Sequence, residues 1–384
     1  MHKYLIIVSS LFFAHWVAAA PAVIPAPPSI AASGYILIDA DSGRVITEKN
    51  ADEKLPPASL TKLMTSYVLS YELAEGNVAN TDMVTISENA WAQNPTFAGS
   101  SLMWIEVGKQ VNLKDLHKGV VISSGNDASV AVAEHLAGSE SAFADVMNQH
   151  AALLGMTGSN FVNAHGLPDA EHYMTARDLA ILSKAILKYP EEYALYSQPD
   201  YTYNNITQTN RNRLLWKDDS VDGLKTGHTE EAGFCLVSSA KRNGMRLISV
   251  VMGAKSQSAR EIESQKLLSY GFRYFETHPL YSAGDALTAT KIWAGASDSL
   301  SLGVERDIHL TIPRGKHKDI EAVMDLAEFI KAPVSAGNEY GELVIRLDGE
   351  ELLREPLFAL ESIEQGGIFK RLWDAIVLFV MQLF

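Results

Sequence analysis

Segments that are typical of β-strands lie at both ends of the first 280 or so residues, with helix-like segments between them. Residues 35–39 and 44–47 flank a glycine-bearing turn, a pattern that predicts a β-hairpin. Residues 233–240 and 245–253 predict a second hairpin, because the Asn243-Gly244 pair between them favours a tight turn. We therefore expect an α+β fold in which one antiparallel sheet joins strands from both ends and carries an inserted helical subdomain.

The helix-like segments show the spacing of amphipathic or buried helices. Apolar residues recur between Leu60 and Tyr71 at intervals of three and four, which indicates a helix with a buried face. Four further helices are predicted at residues 113–121, 127–136, 142–154 and 176–187, and another at about 260–277. These helices account for the insertion and for one layer against the sheet.

The pattern changes after Pro279, where short alternating segments are separated by Gly, Asp and Pro turns. This is typical of a small all-β domain. We assign residues 21–282 to the main domain and residues 283–365 to the β domain.

Both ends of the chain carry targeting signals. Residues 1–20 have a basic start, a short apolar run and small residues at the end, which predicts a secretory signal peptide. An N-terminal membrane anchor is the alternative, although the run is short for a span.

The chain has a single cysteine, Cys235, so no intramolecular disulfide can form, and we expect a buried core thiol.

Residues 366–384 read as an amphipathic helix that lies in a membrane surface. The segment is apolar over most of its circumference, with Lys370, Arg371 and Asp374 grouped on one side. It is short for a bilayer span, which needs about 20 residues. A core helix of the last domain is the alternative, and Gly366-Gly367 resembles a hinge. The predicted location is peripheral, on the periplasmic face of the inner membrane.

The first candidate for chemistry is the pair Ser59 and Lys62 at the start of the first helix. Residues three apart on a helix share a face, with roughly 5–6 Å between their Cβ atoms. A neutral lysine could then activate the serine hydroxyl as a nucleophile, provided that burial or a nearby cation lowers the lysine pKa. A second Ser-x-x-Lys, Ser238 to Lys241, runs from a strand into a turn and is not expected to converge.

Two further three-residue motifs follow the Ser59–Lys62 pair along the chain. Ser124-Gly125-Asn126 stands between two predicted helices, and Lys225-Thr226-Gly227 stands just before a predicted strand. Ser87-Glu88-Asn89 is a rival copy of the first triplet. Ser-x-x-Lys, Ser-x-Asn and Lys-Thr-Gly in this order are the set found in penicillin-binding proteins and class A β-lactamases.

On these motifs, and on the stretches around residues 33–39, 57–67, 210–216 and 221–229, the chain resembles low-molecular-mass penicillin-binding proteins, the D-alanyl-D-alanine carboxypeptidases. The resemblance covers residues 35–384. It implies the penicillin-recognising serine enzyme fold, a second domain and an amphipathic C-terminal anchor. It also implies removal of the terminal D-alanine from peptidoglycan pentapeptides, covalent inhibition by β-lactams, and a role in cell wall biogenesis and cell shape.

The resemblance also implies roles for individual residues. Ser59 is the nucleophile, Lys62 the general base, and Ser124 relays a proton to the leaving amine. Asn126 holds the substrate backbone or orients Lys62, while Lys225 keeps Lys62 neutral and contacts the substrate carboxylate with Thr226. The remaining substrate-binding positions are Gly227, His228, whose N–H joins that of Ser59 in the oxyanion hole, and the carboxylate-pocket arginines Arg211 and Arg260.

Several alternatives remain open. A DD-endopeptidase that cuts cross-links could use the same residues. A β-lactamase is less favoured, because no Glu-x-x-Leu-Asn run follows the second motif; Glu192 to Leu195 is followed by Tyr196. A non-catalytic wall-binding scaffold is disfavoured because the nucleophile and base are both present.

Partners and cofactors follow from the same features. The net charge of −14 argues against nucleic-acid binding through the overall field. The histidines show no zinc-hydrolase spacing, so we assign no metal and no cofactor. The expected partners are the peptidoglycan pentapeptide, β-lactam inhibitors and the membrane surface, and the sequence names no protein partner.

Overall fold

The computed structural model describes residues 24–381. The predicted signal peptide at residues 1–20 lies outside the described residues. The strands are β1 (Gly34–Asp39), β2 (Val45–Lys49), β3 (Met83–Thr85), β4 (Gln110–Asn112), β5 (Asp200–Tyr203), β6 (Ile206–Thr209), β7 (Val221–Thr229), β8 (Gly233–Arg242), β9 (Met245–Ala254), β10 (Phe275–Tyr281), β11 (Ala286–Trp293), β12 (Ser299–Gly303), β13 (Ile308–Pro313), β14 (Ile320–Leu326), β15 (Ile330–Lys331), β16 (Glu339–Leu347) and β17 (Glu350–Ala359). The helices are α1 (Lys62–Ala74), α2 (Leu113–Lys118), α3 (Asn126–Ala137), α4 (Glu140–Leu154), α5 (Ala176–Ile186), α6 (Pro190–Tyr193), α7 (Gln257–Tyr274) and α8 (Ile368–Met381).

The central sheet joins both predicted hairpins. Its five strands run antiparallel in the order β2-β1-β9-β8-β7, so the N-terminal strand β1 pairs directly with β9. Helices cover both faces, and consecutive residues of β1 therefore alternate between two cores. Ile36 packs with α1 and α5, and Leu37 packs with α7. The α+β class and the antiparallel sheet with inserted helices are confirmed.

Helix α7 approaches the sheet closely at a glycine. A Cβ atom added to Gly271 would lie 2.5 Å from Leu247 Cδ1 and 3.1 Å from Leu37 Cδ2. The absence of a side chain at this position lets the helix backbone settle onto β1 and β9. The apolar residues on this face, including Leu267 and Leu268, form the second core of the main domain.

The helical insertion lies between β2 and β7 and places most of the motif residues. A 3₁₀ turn (Ala58–Thr61) leads directly into α1, so Ser59 and Lys62 lie one turn apart. The helix predicted at residues 113–121 is shorter, because α2 ends at Lys118 and the chain continues through a π-helical turn, Gly119–Ser123. Ser124 directly follows that turn, two residues before the start of α3.

The C-terminal part is all-β, as predicted. A six-stranded sheet has the order β14-β16-β17-β12-β11-β15, and a two-stranded ribbon, β10 with β13, shares its core. The helix expected to end near residue 277 ends earlier, at Tyr274. Residues 275–281 instead form β10 and pair with β13, a contact between distant segments that local periodicity does not reveal.

Helix α8 closes the described chain and buries two side chains, Asp374 and Leu378. Asp374 is 5% exposed, and its carboxylate accepts a hydrogen bond from Ala294 N at 2.7 Å. Eight apolar side chains face outward, listed here: Ile368, Phe369, Leu372, Trp373, Ile376, Phe379, Val380 and Met381. Gly366 is not a free hinge, because its N–H donates to Ala294 O at 2.9 Å. Among residues 24–381 no helix is both long and apolar enough to cross a bilayer.

Candidate active site

The first pair, Ser59 and Lys62, meets at the base of a cleft. Lys62 Nζ lies 3.1 Å from Ser59 Oγ, and Lys62 is 1% exposed. The 3₁₀ turn begins at Ala58, which has a positive φ of 49° and so turns the chain sharply before the serine. Such a backbone conformation is costly for a non-glycine residue and is typical of functional sites.

The remaining contacts of Lys62 define the orientation of its amine. Nζ donates to Asn126 Oδ1 at 2.7 Å and to the His165 carbonyl at 2.8 Å. Both partners are carbonyl oxygens that can only accept hydrogen bonds. In a neutral amine these two bonds use both N–H groups, and the lone pair then faces Ser59 Oγ. The geometry therefore suits proton transfer from the serine to the lysine.

The second and third motifs meet on the other side of the cleft. Lys225 Nζ lies 2.9 Å from Ser124 Oγ, and both residues are almost fully buried. Ser124 has left-handed backbone angles (φ 60°, ψ 33°), which direct its side chain between α3 and β7. Asn126 begins α3 and bonds Lys62, so this segment connects the two lysine centres.

Two glycines allow the backbone to approach the nucleophile. A Cβ atom at Gly166 would lie 1.8 Å from the carbonyl oxygen of Ala58, and the φ of Gly166 is +88°. A Cβ atom at Gly227 would lie 2.8 Å from the carbonyl oxygen of Pro57. A side chain at either position would therefore displace the turn that carries Ser59.

The cleft has a volume of about 860 Å³. All the predicted site residues line it except the two lysines Lys62 and Lys225, which lie buried beneath its surface. Its charged lining residues are all cationic: Arg211, Arg213, Lys217 and Arg260. Within residues 24–381, no aspartate or glutamate side chain lines this cleft. Such a lining favours a ligand that carries a carboxylate.

Arg260 is the most buried of these cations. It is 5% exposed, and its Nη1 donates to the Gly227 carbonyl at 3.0 Å. Its Nε has no hydrogen-bond partner among the described residues. Burial lowers the pKa of Arg260 to about 10. Arg211 lies at the cleft surface, where its guanidinium donates to Ser101 Oγ.

Burial also lowers the pKa of both lysines. The pKa of Lys62 falls to about 7, mainly through burial and next through the positive charge of Arg211, whereas Asp127 and Glu140 oppose this shift. The pKa of Lys225 lies well below its ordinary value, through burial and then the charges of Lys62 and Arg211. The charge of Lys62 is one of the causes that lower the pKa of Lys225, and because repulsion between two amines is mutual, a charged Lys225 would also disfavour a proton on Lys62. Arg211 is a further cation that lowers the pKa of Lys62.

Comparison with known proteins assigns the family. The model of the D-alanyl-D-alanine carboxypeptidase family matches residues 21–256, and that of the penicillin-binding protein 5 C-terminal domain matches residues 275–365. The chain belongs to the D-alanyl-D-alanine carboxypeptidase family. This finding confirms the resemblance and the fold that it implies.

Individual relatives extend over nearly the whole chain. The D-alanyl-D-alanine carboxypeptidase DacA of Haemophilus influenzae is 45% identical over 362 residues, which cover 93% of this chain and 92% of that protein. The crystal structure of penicillin-binding protein 5 from the same organism has a TM-score of 0.86 and 44% identity, covering 88% of this chain and 99% of that one. Penicillin-binding protein D2 of Listeria monocytogenes, solved in a cefotaxime-bound form, has 29% identity and a TM-score of 0.58, covering 64% of this chain and 98% of that one.

The rival motif copies lie apart from this family's cleft. Ser238 is fully buried on β8, whereas Lys241 is exposed, because residues three apart on a strand point to opposite faces. Ser87 and Asn89 both donate hydrogen bonds to Glu134. Neither copy supplies a residue that lines the cleft.

Sequence reasoning missed the residues that support the motifs. The carboxylate of Asp127 accepts hydrogen bonds from Met103 N, Trp104 N and Ile105 N at 2.8, 2.8 and 3.2 Å, which fixes the loop above Asn126. The sequence feature that could have indicated this role of Asp127 is its position directly after the Ser-x-Asn motif.

The position of His165 is fixed by a second acidic residue that the motifs do not reveal. Glu140 Oε1 lies 3.2 Å from His165 Nε2, and the backbone carbonyl of His165 bonds Lys62. Burial and then the charge of Lys62 lower the pKa of His165 to about 3, which keeps its ring neutral. His165 therefore contributes a backbone acceptor, and no local pattern links Glu140 to it.

Proposed function

We propose that this chain is a serine-type D-alanyl-D-alanine carboxypeptidase that removes the terminal D-alanine from peptidoglycan pentapeptides. The observation that carries the proposal is the contact of Ser59 Oγ with a buried Lys62 amine, at 3.1 Å, whose pKa is lowered to about 7. The amine lies under a cleft whose charged lining residues are cationic. The family supports the same substrate class.

In the first step Ser59 Oγ attacks the carbonyl carbon between the two D-alanines. Lys62 takes the hydroxyl proton, and a tetrahedral oxyanion forms, stabilised by the backbone N–H groups of Ser59 and His228. Preorganised donors of this kind each contribute about 3–4 kcal/mol of transition-state stabilisation. Asn126 and the His165 carbonyl hold the Lys62 amine in line throughout.

In the second step the C–N bond breaks and D-alanine leaves. Its amine receives a proton from the Ser124 hydroxyl, which Lys225 contacts at 2.9 Å. Ser124 in turn regains the proton that Lys62 took from Ser59, so Ser124 acts as a relay and Lys62 is neutral again before water attacks. The terminal carboxylate of the substrate binds Thr226, Arg211 and Arg260 near Lys225. This carboxylate is the counterion that lets Lys225 hold a proton, and a charged Lys225 in turn disfavours a proton on Lys62. Substrate binding therefore prepares the base.

Water then hydrolyses the acyl-enzyme. Glu192, the first residue of the closest match to the β-lactamase run, lies on α6 and does not line the cleft. Without a carboxylate to activate water there, a penicilloyl adduct on Ser59 is expected to persist, so penicillin acts as an inhibitor.

The protein is proposed to act on the periplasmic face of the inner membrane. Export follows from the predicted signal peptide. Peripheral attachment follows from α8, whose outward apolar side chains match an interfacial helix and whose polar side packs on the β domain.

The decisive experiment is covalent labelling by a fluorescent penicillin, followed by peptide mass mapping. We expect the adduct on Ser59, and its loss in Ser59→Ala. Ser238→Ala is the matched control, because it removes the serine of the rival motif, and it should label normally. An adduct on Ser238, or none on the folded protein, would contradict the assignment.

A second measurement separates carboxypeptidase from endopeptidase activity. Release of D-alanine from a pentapeptide ending in D-Ala-D-Ala is compared with cleavage of a cross-linked dimer. We expect the pentapeptide to be preferred, because the cationic cleft suits a free terminal carboxylate. Preference for the dimer would favour the endopeptidase.

A further inference from the structure

Far from the cleft, three potential metal ligands converge at the ribbon formed by β10 and β13. Glu276 and His278 lie two apart on β10 and therefore share a face of the strand. His317 lies in the short turn after β13. One ligand atom from each residue lies within 4.8 Å of the others. We propose that Glu276, His278 and His317 form a binding site for a divalent transition-metal ion of the zinc class.

The separation of the ligand atoms suits such an ion. His278 Nε2 lies 3.2 Å from Glu276 Oε1. Two ligands of a tetrahedral zinc ion, each about 2.0–2.1 Å from the metal, are about 3.3 Å apart. The imidazole rings of His278 and His317 have centroids 5.5 Å apart and planes tilted by 30°. Closure around an ion thus requires a small movement of His317, which is exposed and lies in a turn.

The state of His278 is the second observation that points to a ligand. Its Nε2 atom is buried and makes no aligned hydrogen bond among the described residues, although Glu276 Oε1 lies 3.2 Å away. A buried imidazole nitrogen without an aligned hydrogen bond is costly unless something else binds it. A metal ion supplies that partner, since neutral imidazole is a preferred zinc ligand.

The carboxylate of Glu276 is held as metal-binding carboxylates commonly are. Oε1 accepts a hydrogen bond from Gly315 N at 2.9 Å, and Arg314 Nη1 lies 3.7 Å from Oε2. Arg314 also donates to the carbonyls of Phe272 and Phe275, which holds its positive charge to the side of the carboxylate.

The site lies where the β ribbon meets the main domain. Thr277, between two of the ligands, donates to Asp39 Oδ2 at 2.7 Å at the end of β1. A metal ion at this place would cross-link β10 to the turn after β13 and stabilise the junction. The ligands come from segments about 40 residues apart, so sequence spacing did not reveal them and we had assigned no metal.

The test is calorimetric titration of the untagged, chelator-treated full chain in detergent with ZnCl₂. We expect one saturable site per chain, and the visible spectrum of tetrahedral Co²⁺ when CoCl₂ replaces zinc. His278→Asn and His317→Asn should each weaken zinc binding by about tenfold or more. Penicillin labelling of each variant, unchanged, shows that it is folded.

His309→Asn is the matched control, since it removes a histidine from β13, outside the cluster. It should bind zinc normally. The absence of saturable binding, equal loss in the His309 variant, or unchanged affinity in both cluster variants would overturn the proposal. None of these results bears on catalysis at Ser59, so the two proposals can fail separately.

Discussion

In the active-site cleft two lysines are almost completely buried, whereas in helix α8 eight apolar side chains face outward. Both regions depart from the usual partition of polar and apolar groups, in opposite directions. The buried lysines depend on a rigid surrounding of two cores and a sheet, because desolvated amines need fixed partners. The apolar face of α8 needs no fixed partners within the protein, only an apolar environment outside it that excludes water.

The contrast implies that the two functions are coupled to folding differently. Lys62 and Lys225 are held by contacts that join α1, α3, the loop at His165 and β7, so the cleft exists only in the folded main domain. Helix α8 is held to the β domain by the bond of Asp374 to Ala294 N and the ion pair of Lys370 with Asp298, and Leu378 is its one buried apolar side chain among the described residues. Changes in the cleft should therefore abolish chemistry, and changes in α8 should alter location alone.

The largest effect is expected from Lys62→Ala. Loss of a general base typically costs about 10²–10⁴-fold in rate, and we expect penicillin acylation to fall by that amount while membrane association is unchanged. Stopped-flow measurement with a fluorescent penicillin checks it. Lys241→Ala, at the exposed lysine of the rival motif, is the control. An acylation rate within threefold of the unmodified protein in Lys62→Ala would show that Lys62 is not the base.

Replacement of three outward aromatic side chains of α8, in the variant Phe369→Ser, Trp373→Ser and Phe379→Ser, should release the protein from membranes. Each large apolar side chain that leaves water contributes roughly 1.5–3 kcal/mol, so we expect partitioning into anionic lipid vesicles to fall by about a hundredfold or more. Co-sedimentation measures this, and acylation should be unaffected.

The control for this change is a triple variant of exposed apolar residues elsewhere, Leu153→Ser, Ile262→Ser and Val323→Ser. It removes three exposed apolar side chains outside α8 and should sediment with vesicles as before. Equal loss in both triple variants would mean that general surface hydrophobicity, not α8, directs membrane binding.

The pH dependence of acylation should report the base. The pKa of Lys62 is about 7, and the neutral form is active, so the rate should fall about tenfold per pH unit below that value and level off above it. Arg211→Gln removes the cation that lowers this pKa and should move the midpoint to higher pH. Arg213→Gln, at another cationic residue of the cleft lining, is the control. A midpoint that stays in place in Arg211→Gln would show that the charge of Arg211 does not lower the pKa of Lys62.

The features that the sequence could predict are those that depend on residues close together along the chain. The Asn243-Gly244 turn and the alternating strands predicted two hairpins, and the spacing of Ser59 and Lys62 on a helix predicted their contact, at 3.1 Å in the structure. Local order also separated Ser238 from the site, because a strand cannot bring it to Lys241. Such inferences need only the geometry of one element.

The features that sequence could not predict arise between distant segments. The charges of Arg211 and Glu140 both act on Lys62 from distant segments, and Glu140 also contacts His165, whose carbonyl bonds Lys62. Similarly, residues 275–277 read as the end of a helix, yet they belong to β10 and pair with β13. Burial and long-range strand pairing depend on the assembled fold, so the periodicity of residues along the chain does not predict them.

The smallest effect is expected from Asp374→Ala, which removes the buried acceptor for Ala294 N and one of the two acidic partners of Lys370, while Asp298 remains and the apolar face is unchanged. Loss of this hydrogen bond should cost about 1 kcal/mol, because Ala294 N can reach water once the helix separates. We expect proteolysis near Gly366-Gly367 to accelerate a few-fold, with vesicle binding unchanged. Glu361→Ala, an exposed acidic residue of the same region, should leave cleavage as it was. If Asp374→Ala instead abolished vesicle binding, docking to the β domain and membrane attachment would be one property, and the contrast between the coupled cleft and the separable helix would not hold.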